Sequence, residues 1–381
     1  MPRDLRKDSL LIISDTSMWR MDNHIAVFEP TLREVEWLAG MFRKITWIGY
    51  GQPGVPKSFA RVSDKLNIDF ILLPYAVGGK SFVRKFRILQ YLPKIVCVIL
   101  THLKRHSFIH TRGPSVPALI TILISYLDHS RTYWHKYAGN WIQRPAPKAY
   151  TFQRFLLTHN SHLVSINGSW PSNPNNFVSL ENPCLTNSEL LEANAIGKNK
   201  RMDGPLTLCF VGALIPAKGI RQFVESLSLV KNKSNIKEVL IVGDGPERNE
   251  LEKIATTLPI PIQFLGNIKR DAINSIYEKA DIIILPSAAE GFPKVIAEAA
   301  AFGCVPIVTQ ISSIDQYITH GKQGMLLQDT DPSIIAELLD TILSGVLDLN
   351  TMKNEVLKLS SLFTFERYCL RLQQELTNRL S

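Results

Sequence analysis

The stretch from residue 281 to residue 309 constrains the fold more than any other part of the sequence. It reads DIIILPSAAEGFPKVIAEAAAFGCVPIVT, and its β-branched run at 282–285 is typical of a buried strand. Pro286 ends that run, and Pro293 suits the first position of a helix because its φ is already near the helical value. Gly303 follows that helix as a C-cap, and residues 305–309 start the next strand. This order predicts a parallel sheet, in which ligands bind at the carboxyl ends of the strands.

Two acidic residues stand at a fixed spacing in this stretch, Glu290 in the loop and Glu298 in the predicted helix. Glu298 lies about one and a half turns into the helix, roughly 7 Å along its axis. Between them, the free N–H groups of the first turn form an anion site suited to a pyrophosphate. We therefore predict one acid near each end of a phosphorylated ligand. The alternative is a surface Glu and an ordinary helical Glu, which the surrounding EGFP and EA motifs and the capping glycine disfavour.

This string resembles the E-x7-E signature of retaining glycosyltransferases with two Rossmann-like domains, the GT-B fold. The closest resemblance is to glycosyltransferase family 4, the group 1 glycosyltransferases, over residues 206–330, whereas the rest of the chain resembles it only in layout. The resemblance implies that Glu290 contacts the hydroxyls of the donor sugar and that Glu298 holds the ribose of the nucleotide. It also implies that the backbone between them serves the sugar and the phosphates, at Gly291, Phe292, Pro293 and Val295.

From residue 206 onwards, predicted strands and helices alternate regularly. Strands at 207–211, 239–242 and 262–265 are each followed by a glycine and a helix. Strands separated by such helices imply right-handed parallel crossovers. A glycine at a strand end lets a ligand approach the backbone closely. The residues at these ends that we predict to bind the donor are Gly212, Gly243, Gly266 and Asn267. The GDGP at 243–246 is not a dinucleotide fingerprint, because the third glycine and the following acid are missing.

Lys218, just before a helix predicted at 220–230, is a further residue predicted to act on the donor. Its ammonium group would neutralise the leaving diphosphate as the glycosidic bond breaks. In the family that this chain resembles, an Arg accompanies the lysine, and Ala213 takes its place here. The change removes a charge-assisted phosphate contact worth roughly 1.5–3 kcal/mol. Either Lys218 and the helix dipole suffice, or another base compensates.

The N-terminal half contains a second candidate site in the segment TYWHKYAGNW at 132–141. We predict that a strand ends at Trp134 and that His135, Lys136 and Asn140 lie in the loop after it. In the family that this chain resembles, a histidine at a comparable strand end contacts the transferred sugar. His135 or Lys136 could fill that role, which would make His135 catalytic. The alternative is a set of structural aromatic residues with a surface histidine.

The charge of the chain is strongly asymmetric. The net charge is +9, yet residues 1–180 contain 23 Lys and Arg against 10 Asp and Glu, and residues 181–381 contain 20 against 24. Between residues 70 and 180, Asp128 is the only acid against 13 bases. An N-terminal half with this excess of bases is expected to bind polyanions or an anionic bilayer. The alternative is a basic surface that is simply exposed to solvent. The basic residues show no RNA-module pattern, so we predict no nucleic-acid partner.

The segment 80–106 combines basic side chains with aromatic and aliphatic ones, and Pro93 is predicted to divide it into two amphipathic helices. This composition is typical of helices that lie on an anionic membrane surface. We therefore predict membrane contact through this segment, with a pair of ordinary surface helices as the alternative. The residues that carry this character are the apolar Phe82, Phe86, Leu89 and Leu92 and the basic Arg84, Lys85 and Arg87.

Several kinds of site and segment find no support in the sequence. The five cysteines are scattered without a C-x-x-C motif, which favours a reducing compartment. The N-terminus has too few apolar residues for a signal peptide, and the apolar run 116–127 is too short to span a membrane. His102, His106 and His110 repeat every four residues, but no acid or cysteine lies nearby, so we predict no metal site. We expect a cytoplasmic protein, peripheral on the inner face of the cell membrane.

The predicted fold is α/β of the GT-B type, with two Rossmann-like, doubly wound domains facing a cleft. We expect an acceptor-binding domain at 1–185, a linker at 186–205 and a nucleotide-sugar-binding domain at 206–363. The helix at 364–381 is expected to cross back to the first domain, as in enzymes of this fold.

The predicted function is the transfer of a sugar, with retention of configuration, from a UDP- or GDP-sugar to a glycan acceptor. We expect that acceptor to be lipid-linked, in the synthesis of a bacterial capsule, O-antigen or exopolysaccharide. No permanently bound cofactor and no metal are expected. One alternative is a phosphorylase or epimerase of the same fold. Another is a non-catalytic paralogue that acts as a partner subunit, which Ala213 suggests because it replaces the arginine of the family.

Overall fold

The structure is a computed structural model that describes residues 4–57, 59–75 and 82–378, with only the backbone described for residues 82–87. The chain divides into two compact units. One comprises Met1–Glu181 with Tyr368–Ser381, and the other comprises Asn182–Arg367. The predicted boundaries, after residue 185 and before residue 364, differ from these by a few residues.

The first unit is built on one sheet. In the part of the chain that the structure describes, seven of its strands run parallel in the order β5-β3-β1-β6-β7-β8-β9. The strand β2 pairs antiparallel with the second half of β1, and β4 pairs antiparallel with β2. The strands are β1 (Ser9–Arg20), β2 (Ile25–Phe28), β3 (Lys44–Gly51), β4 (Ala60–Val62), β5 (Ile68–Leu73), β6 (Phe108–Gly113), β7 (Thr132–Tyr137), β8 (Leu163–Ile166) and β9 (Phe177–Ser179).

The second unit, whose residues are all described, carries a sheet of six parallel strands in the order β12-β11-β10-β13-β14-β15. This is the strand order of doubly wound nucleotide-binding sheets, in which ligands bind where the order reverses, here between β10 and β13. The predicted strands at 282–285 and 305–309 are confirmed. The strands are β10 (Leu206–Val211), β11 (Ile236–Val242), β12 (Ile262–Gly266), β13 (Ile282–Leu285), β14 (Val305–Thr309) and β15 (Met325–Leu327).

Most connections between the parallel strands of both sheets include a helix, as is typical of right-handed crossovers. The last helix begins in the second unit, and its residues from Tyr368 onwards belong to the first. The α-helices are α1 (Glu29–Leu38), α2 (Phe82–Leu103), α3 (Val116–Ser125), α4 (Lys148–Thr158), α5 (Asn187–Asn199), α6 (Ile220–Leu229), α7 (Arg248–Ala255), α8 (Arg270–Lys279), α9 (Lys294–Ala301), α10 (Ile314–Tyr317), α11 (Pro332–Leu343), α12 (Leu349–Leu359) and α13 (Phe365–Asn378).

The predicted linker at 186–205 is wrong over most of its length, because α5 occupies 187–199 in the second unit. The helix begins with a capping box, in which the Thr186 side chain accepts from the backbone N–H of Glu189 and the Glu189 carboxylate accepts from that of Thr186. Leu190 and Ala193 are buried in the core of that unit. The T-x-x-E spacing was the local signal for this helix, and the polar composition masked it.

The prediction that Pro93 divides the segment 80–106 is also wrong, because α2 continues through it. A proline inside a helix removes one hydrogen bond and its ring crowds the carbonyl four residues earlier. The core contacts of Ile95, Ile99 and Leu103 hold the following turns in place despite that cost. Residues 80 and 81 lie outside the described residues. So do the side chains on which the start of the predicted membrane segment rests, those of Phe82, Arg84, Lys85, Phe86 and Arg87.

Apolar cores cover the sheets. In the first unit, one core combines α1 with α13 through residues such as Leu32 and Leu372, and another combines α2 with β1 and β3. In the second unit, a single large core includes the whole of β13 and the alanines of α9. Strands buried in this way have continuous apolar sequences, which explains why those of the second unit were easy to predict.

Candidate active site

Two loops at the carboxyl edge of the second sheet are joined to each other. One follows β10 and ends at Gly219, and the other follows β13 and leads to α9. The backbone N–H of Ala288 donates to the Ala217 carbonyl at 3.0 Å. Gly219 has a φ of +68°, and a Cβ there would lie 2.0 Å from the Pro286 carbonyl oxygen. Only glycine fits this position, so the two loops are held against each other by their backbones.

Lys218 and Glu290, one on each loop, form an ion pair. The Ser287 hydroxyl also donates to Glu290 Oε1, at 3.2 Å. The Lys218 side chain is 28% exposed and the Glu290 side chain 14% exposed, so both remain open to a ligand. The structure therefore brings together Glu290, which we predicted to contact the donor sugar, and Lys218, which we predicted to contact the leaving diphosphate. Each of the two side chains supplies the counter-charge of the other.

Three glycines form the edge of this site on the adjacent strands. The Gly212 N–H donates to the Val242 carbonyl at 3.0 Å, and the Gly243 N–H donates to the Gly266 carbonyl at 2.8 Å. Gly243 has a φ of +127°, and a Cβ there would lie 1.8 Å from the Gly212 oxygen. The three predicted glycines are therefore neighbours, and they leave a backbone surface without side chains. Asn267 follows Gly266 and is exposed.

The loop that carries Glu290 is anchored beyond it by Phe292. This ring is buried, with its centroid 4.5 Å from that of Phe363 and 5.0 Å from that of Tyr317. Pro293 has an extended ψ of 122° and caps α9 rather than opening it, so the helix starts one residue later than predicted. Gly291 precedes the anchored ring, and Val295 lies in the first helical turn. The backbone N–H groups of that turn have no acceptor within the helix.

Glu298 lies deeper, inside α9, and is only 8% exposed. Its Oε1 accepts from Arg270 Nη1 at 2.6 Å, and its Oε2 accepts from the Tyr277 hydroxyl at 3.3 Å. Burial lowers the pKa of Arg270, but the charge and hydrogen bond of Glu298 outweigh it, so the pKa is raised overall. Burial, and secondly Glu298, raise the pKa of Tyr277 well above its usual value. Both carboxylate oxygens thus have protein partners, and the predicted contact with ribose stays a prediction.

The structure corrects the predicted position of His135. The residue lies inside β7 and is fully buried, because the strand continues to Tyr137 with partners on both sides. Its Nδ1 lies 2.8 Å from the Thr111 hydroxyl and its Nε2 lies 3.2 Å from that of Ser125. Burial, with a smaller contribution from His162, lowers the pKa of His135 to about 3. A neutral, enclosed imidazole gives the predicted catalytic role no support.

Lys136 lies beside it in a buried charge cluster that sequence reasoning missed. Glu34 of α1, which has no exposed surface, accepts from Arg112 at 2.6 and 3.1 Å and from Lys136 Nζ at 2.7 Å. The Tyr368 hydroxyl of α13 donates to the same carboxylate at 3.0 Å. The four residues are far apart in sequence, and no local pattern connects them. The predicted loop position of Lys136 is therefore also wrong, whereas Asn140 does lie beyond the strand.

The three histidines with four-residue spacing do not converge. His102 and His106 have ring centroids 6.5 Å apart, and His106 Nε2 lies 2.9 Å from the Thr46 hydroxyl. His110 belongs to β6, where its ring stacks on Trp134 at 3.6 Å. Among the described residues, no group of three His, Cys, Asp or Glu side chains is placed to hold a metal ion. In the same part of the chain, no helix has the length and apolar character needed to cross a bilayer.

Solved structures share this architecture. Anabaena Alr3699/HepE in complex with UDP and glucose is similar over 97% of this chain and 100% of that chain, with a TM-score of 0.69 at 15% sequence identity. At that identity the similarity establishes the fold alone. It confirms the predicted fold class, two Rossmann-like domains of the GT-B type.

Sequence comparison gives more specific similarities than the fold does. Residues 192–356 match the family "glycosyl transferases group 1". An uncharacterized glycosyltransferase of Haemophilus influenzae is 26% identical over 302 residues, which is 77% of this chain and 80% of that protein. These matches support the predicted resemblance to the group 1 glycosyltransferases, and the predicted enzyme class, a glycosyltransferase, is confirmed.

Another relative carries a more specific name. The GalNAc-alpha-(1->4)-GalNAc-alpha-(1->3)-diNAcBac-PP-undecaprenol alpha-1,4-N-acetyl-D-galactosaminyltransferase of Campylobacter jejuni is 28% identical over 167 residues, 43% of this chain and 44% of that protein. The chain spans less than half the length of several curated relatives that it matches. Their substrates therefore belong to those proteins.

Proposed function

We propose that the second unit binds a nucleotide-diphosphate sugar at the carboxyl edge of its sheet and that the enzyme transfers the hexose to a glycan acceptor. The observation that carries this proposal is the Lys218–Glu290 pair, held by two joined loops where the strand order reverses. A cation and an anion placed together suit a ligand that is negative at its diphosphate and rich in hydroxyls at its sugar. The nearby first turn of α9 offers N–H groups to the same ligand.

In this proposal the donor separates the ion pair. Lys218 turns to the diphosphate and neutralises the charge that grows on it as its bond to the anomeric carbon breaks. Glu290 accepts hydrogen bonds from sugar hydroxyls and stabilises the positive charge that develops at the ring. The acceptor hydroxyl oxygen forms the new bond on the same face, and its proton passes to the departing phosphate oxygen. The product therefore keeps the anomeric configuration of the donor.

The family that this chain resembles has an arginine at the position of Ala213. We propose that Arg248 supplies the positive charge that this arginine would provide. It opens α7, and its Nη1 lies 3.1 Å from the position of a Cβ at Gly266, beside the glycine edge. Its Nε donates to Glu252 at 2.8 Å and its Nη2 to the Phe264 carbonyl at 3.2 Å, so one side of the guanidinium is held while Nη1 lies beside Gly266. If Arg248→Met leaves the affinity for nucleotide diphosphate unchanged, this assignment is wrong.

We propose a lipid-linked glycan of a bacterial surface polysaccharide as the acceptor, with the enzyme peripheral on the inner face of the membrane. The undecaprenol-linked substrate in the name of the Campylobacter relative supports this proposal. The excess of bases between residues 70 and 180 supports contact between the segment 80–106 and anionic lipid.

The decisive experiment is a thermal-shift panel with UDP, GDP and their sugars on the wild type and Glu290→Gln. A donor at about a hundred times its Kd stabilises the protein by roughly 2.7 kcal/mol. We expect one nucleotide series to raise the Tm of the wild type, and the sugar to add to the shift only while Glu290 is present. No shift with any nucleotide would contradict the proposal.

The alternative functions that the same fold could carry predict different experimental results. An epimerase or phosphorylase would convert the donor sugar without a glycan acceptor, which analysis of the reaction by NMR would detect. A non-catalytic partner subunit would support polysaccharide synthesis in cells equally well with Glu290→Gln. The NMR spectrum of the glycan product also reports directly whether configuration is retained.

A further inference from the structure

Helix α2 has apolar residues on two opposite sides. One side, with Ile95, Ile99 and Leu103, is buried in the core of the first unit. The other side borders a shallow groove of about 530 Å³. A helix that only covers a sheet needs one apolar face, so the second face is available to another apolar group. The residues that line the groove are Leu92, Pro93, Val96, Cys97, Leu100, Thr101 and Lys104.

A basic pocket of about 380 Å³ lies at the C-terminal end of the same helix, at the amino edge of the first sheet. It is bounded by the residues just before β1, β3, β6 and β7, on the edge opposite to that at which such sheets bind nucleotides. Among the described residues that line it, Asp8 is the one acid. The basic residues of the lining are Lys7, Arg43, Lys104, Arg105, His106 and Arg131.

Most of the basic side chains of this pocket form no ion pair with the described residues. Arg131 is held by Asp128 at 2.5 Å and by the Leu103 carbonyl at 2.8 Å. Within the described part of the chain, Lys7, Arg43, Lys104 and Arg105 have no carboxylate within ion-pair distance. Cations that converge without a counter-charge repel one another, and a bound anion removes that cost.

The position of α2 explains only part of this cluster. Lys104 and Arg105 follow the C-terminus of the helix, where the dipole favours cations in any protein. Lys7 and Arg43 come from other elements, before β1 and before β3. Their convergence on the same pocket therefore needs a different reason.

Lys104 lines both cavities, so the basic pocket and the apolar groove adjoin each other at the C-terminal end of α2. We propose that together they bind one anionic phospholipid, with the headgroup phosphate in the basic pocket and an acyl chain along the outer face of α2. Charge and polarity both match, since the ligand needs cations at one end and an apolar surface at the other. This inference rests on the proposed membrane contact of the segment 80–106 and is independent of glycosyl transfer.

The headgroup half is tested by flotation of the full chain with vesicles of phosphatidylcholine alone or of phosphatidylcholine with phosphatidylglycerol. We expect binding only to the anionic vesicles, and a loss of roughly thirtyfold or more with Arg43→Glu plus Lys104→Glu, at about tenfold for each 1.4 kcal/mol. The matched control is Lys237→Glu plus Lys253→Glu, which makes the same change in net charge with two exposed lysines of the second unit. Equal losses in the two variants would overturn the site, because they would show a charge effect without a specific position.

The apolar half is tested with Leu100→Gln, whose side chain is 43% exposed in the wild type. We expect a severalfold loss of vesicle binding that persists at high salt, where the charge contribution is screened. Inorganic phosphate and glycerol phosphate separate the two sources of a phosphate group. Tight binding of either one, with vesicle binding unaffected by Leu100→Gln, would assign the pocket to a free phosphate compound and overturn the lipid proposal.

Two further measurements separate this inference from its rivals. Sedimentation that shows a dimer, dissociated by Leu100→Gln, would assign the groove to a second copy of the chain. A nucleotide-induced thermal shift that is unchanged in the Arg43 and Lys104 variant shows that the variant is folded and that donor binding is intact. Failure of the lipid site and failure of the proposed transferase function therefore have different signatures.

Discussion

The two units share one order for six parallel strands but differ in what lies at the ends of those strands. In the second unit, the ends of β10, β11 and β12 carry glycines, and the loops beyond hold the partly exposed pair of Lys218 and Glu290. In the first unit, the ends of β6 and β7 carry Arg112 and Lys136, which point into a buried cluster.

The comparison shows how one topology serves two purposes. Charges at a sheet edge that remain exposed and flanked by glycines are available to a ligand. Charges of the same type that are enclosed and fully paired hold helices in place, here α1 through Glu34 and α13 through Tyr368. Burial and pairing, and not residue type, separate the candidate active site from the structural cluster.

The largest effect is expected at the buried cluster. Glu34→Ala leaves Arg112 and Lys136 enclosed without a counter-charge, which costs about 3–5 kcal/mol of folding free energy. Urea denaturation should therefore show a separate, early transition of the first unit.

The control for this change is Asp69→Ala, which removes the half-exposed pair with Lys44 and should cost less than about 1 kcal/mol. If the two variants lose the same stability, the cluster around Glu34 is not the structural anchor that the comparison makes it. Glu34→Gln, which preserves the shape of the side chain, serves if Glu34→Ala does not fold.

The next effect is expected on catalysis, in the second unit. Glu290→Gln should lower kcat/KM for glycosyl transfer by about 10²- to 10³-fold, the usual loss when one preorganised charge contact to a transition state is removed. Stability should change little, because Glu290 is partly exposed and at the edge. Release of nucleotide diphosphate measures the rate, and Glu278→Gln on the exposed face of α8 is the control. If Glu290→Gln keeps wild-type activity, the exposed charges of the second unit are not the catalytic site.

A smaller effect is expected from the glycine edge. Gly243→Ala would place a Cβ 1.8 Å from the Gly212 oxygen at a φ of +127°, so the two strand ends must move apart. We expect a loss of about 1–3 kcal/mol in stability and a weaker thermal shift with nucleotide. Gly321→Ala is a matched control, because Gly321 has a φ of +78° but no atom within 4 Å of its Cβ position. Equal effects on nucleotide binding would show that backbone strain alone, and not the close approach, explains the loss.

The effect that is smallest near neutral pH, and that grows as the pH is lowered, concerns the buried imidazole of the first unit. Burial lowers the pKa of His135 to about 3, below its unfolded value of 6.5. Between these two pH values, the unfolded chain binds a proton at His135 and the folded chain does not. The stability linked to His135 is fully present above pH 6.5 and is lost as the pH falls towards 3, by up to about 1.4 kcal/mol per pH unit.

Denaturation of the wild type and of His135→Asn across this range isolates the contribution, because the slopes of other histidines cancel in the difference. The expected result is a flatter pH dependence in the variant. Identical slopes would mean that the imidazole is not the neutral, enclosed group that the structure describes.

Much of the second unit followed from local sequence patterns. The β-branched run before Pro286 and the run that ends at Thr309 coincide with β13 and β14, and Gly303 lies just beyond α9 with a φ of +75°. These features depend on residues a few positions apart, so the chain carries them whatever surrounds it. The same holds for the spacing of Glu290 and Glu298, which the turn and the helix set directly.

The parts that only tertiary structure decided depend on partners that are distant in the sequence. Pro93 did not break its helix because a core holds both sides of it, and His135 is enclosed because Thr111 and Ser125 meet its ring from β6 and α3. The pairing of Lys218 with Glu290 spans 72 residues, and that of Glu34 with Tyr368 spans 334. Sequence periodicity reports which side of an element is apolar, whereas the identity of a charged partner depends on how the chain returns in space.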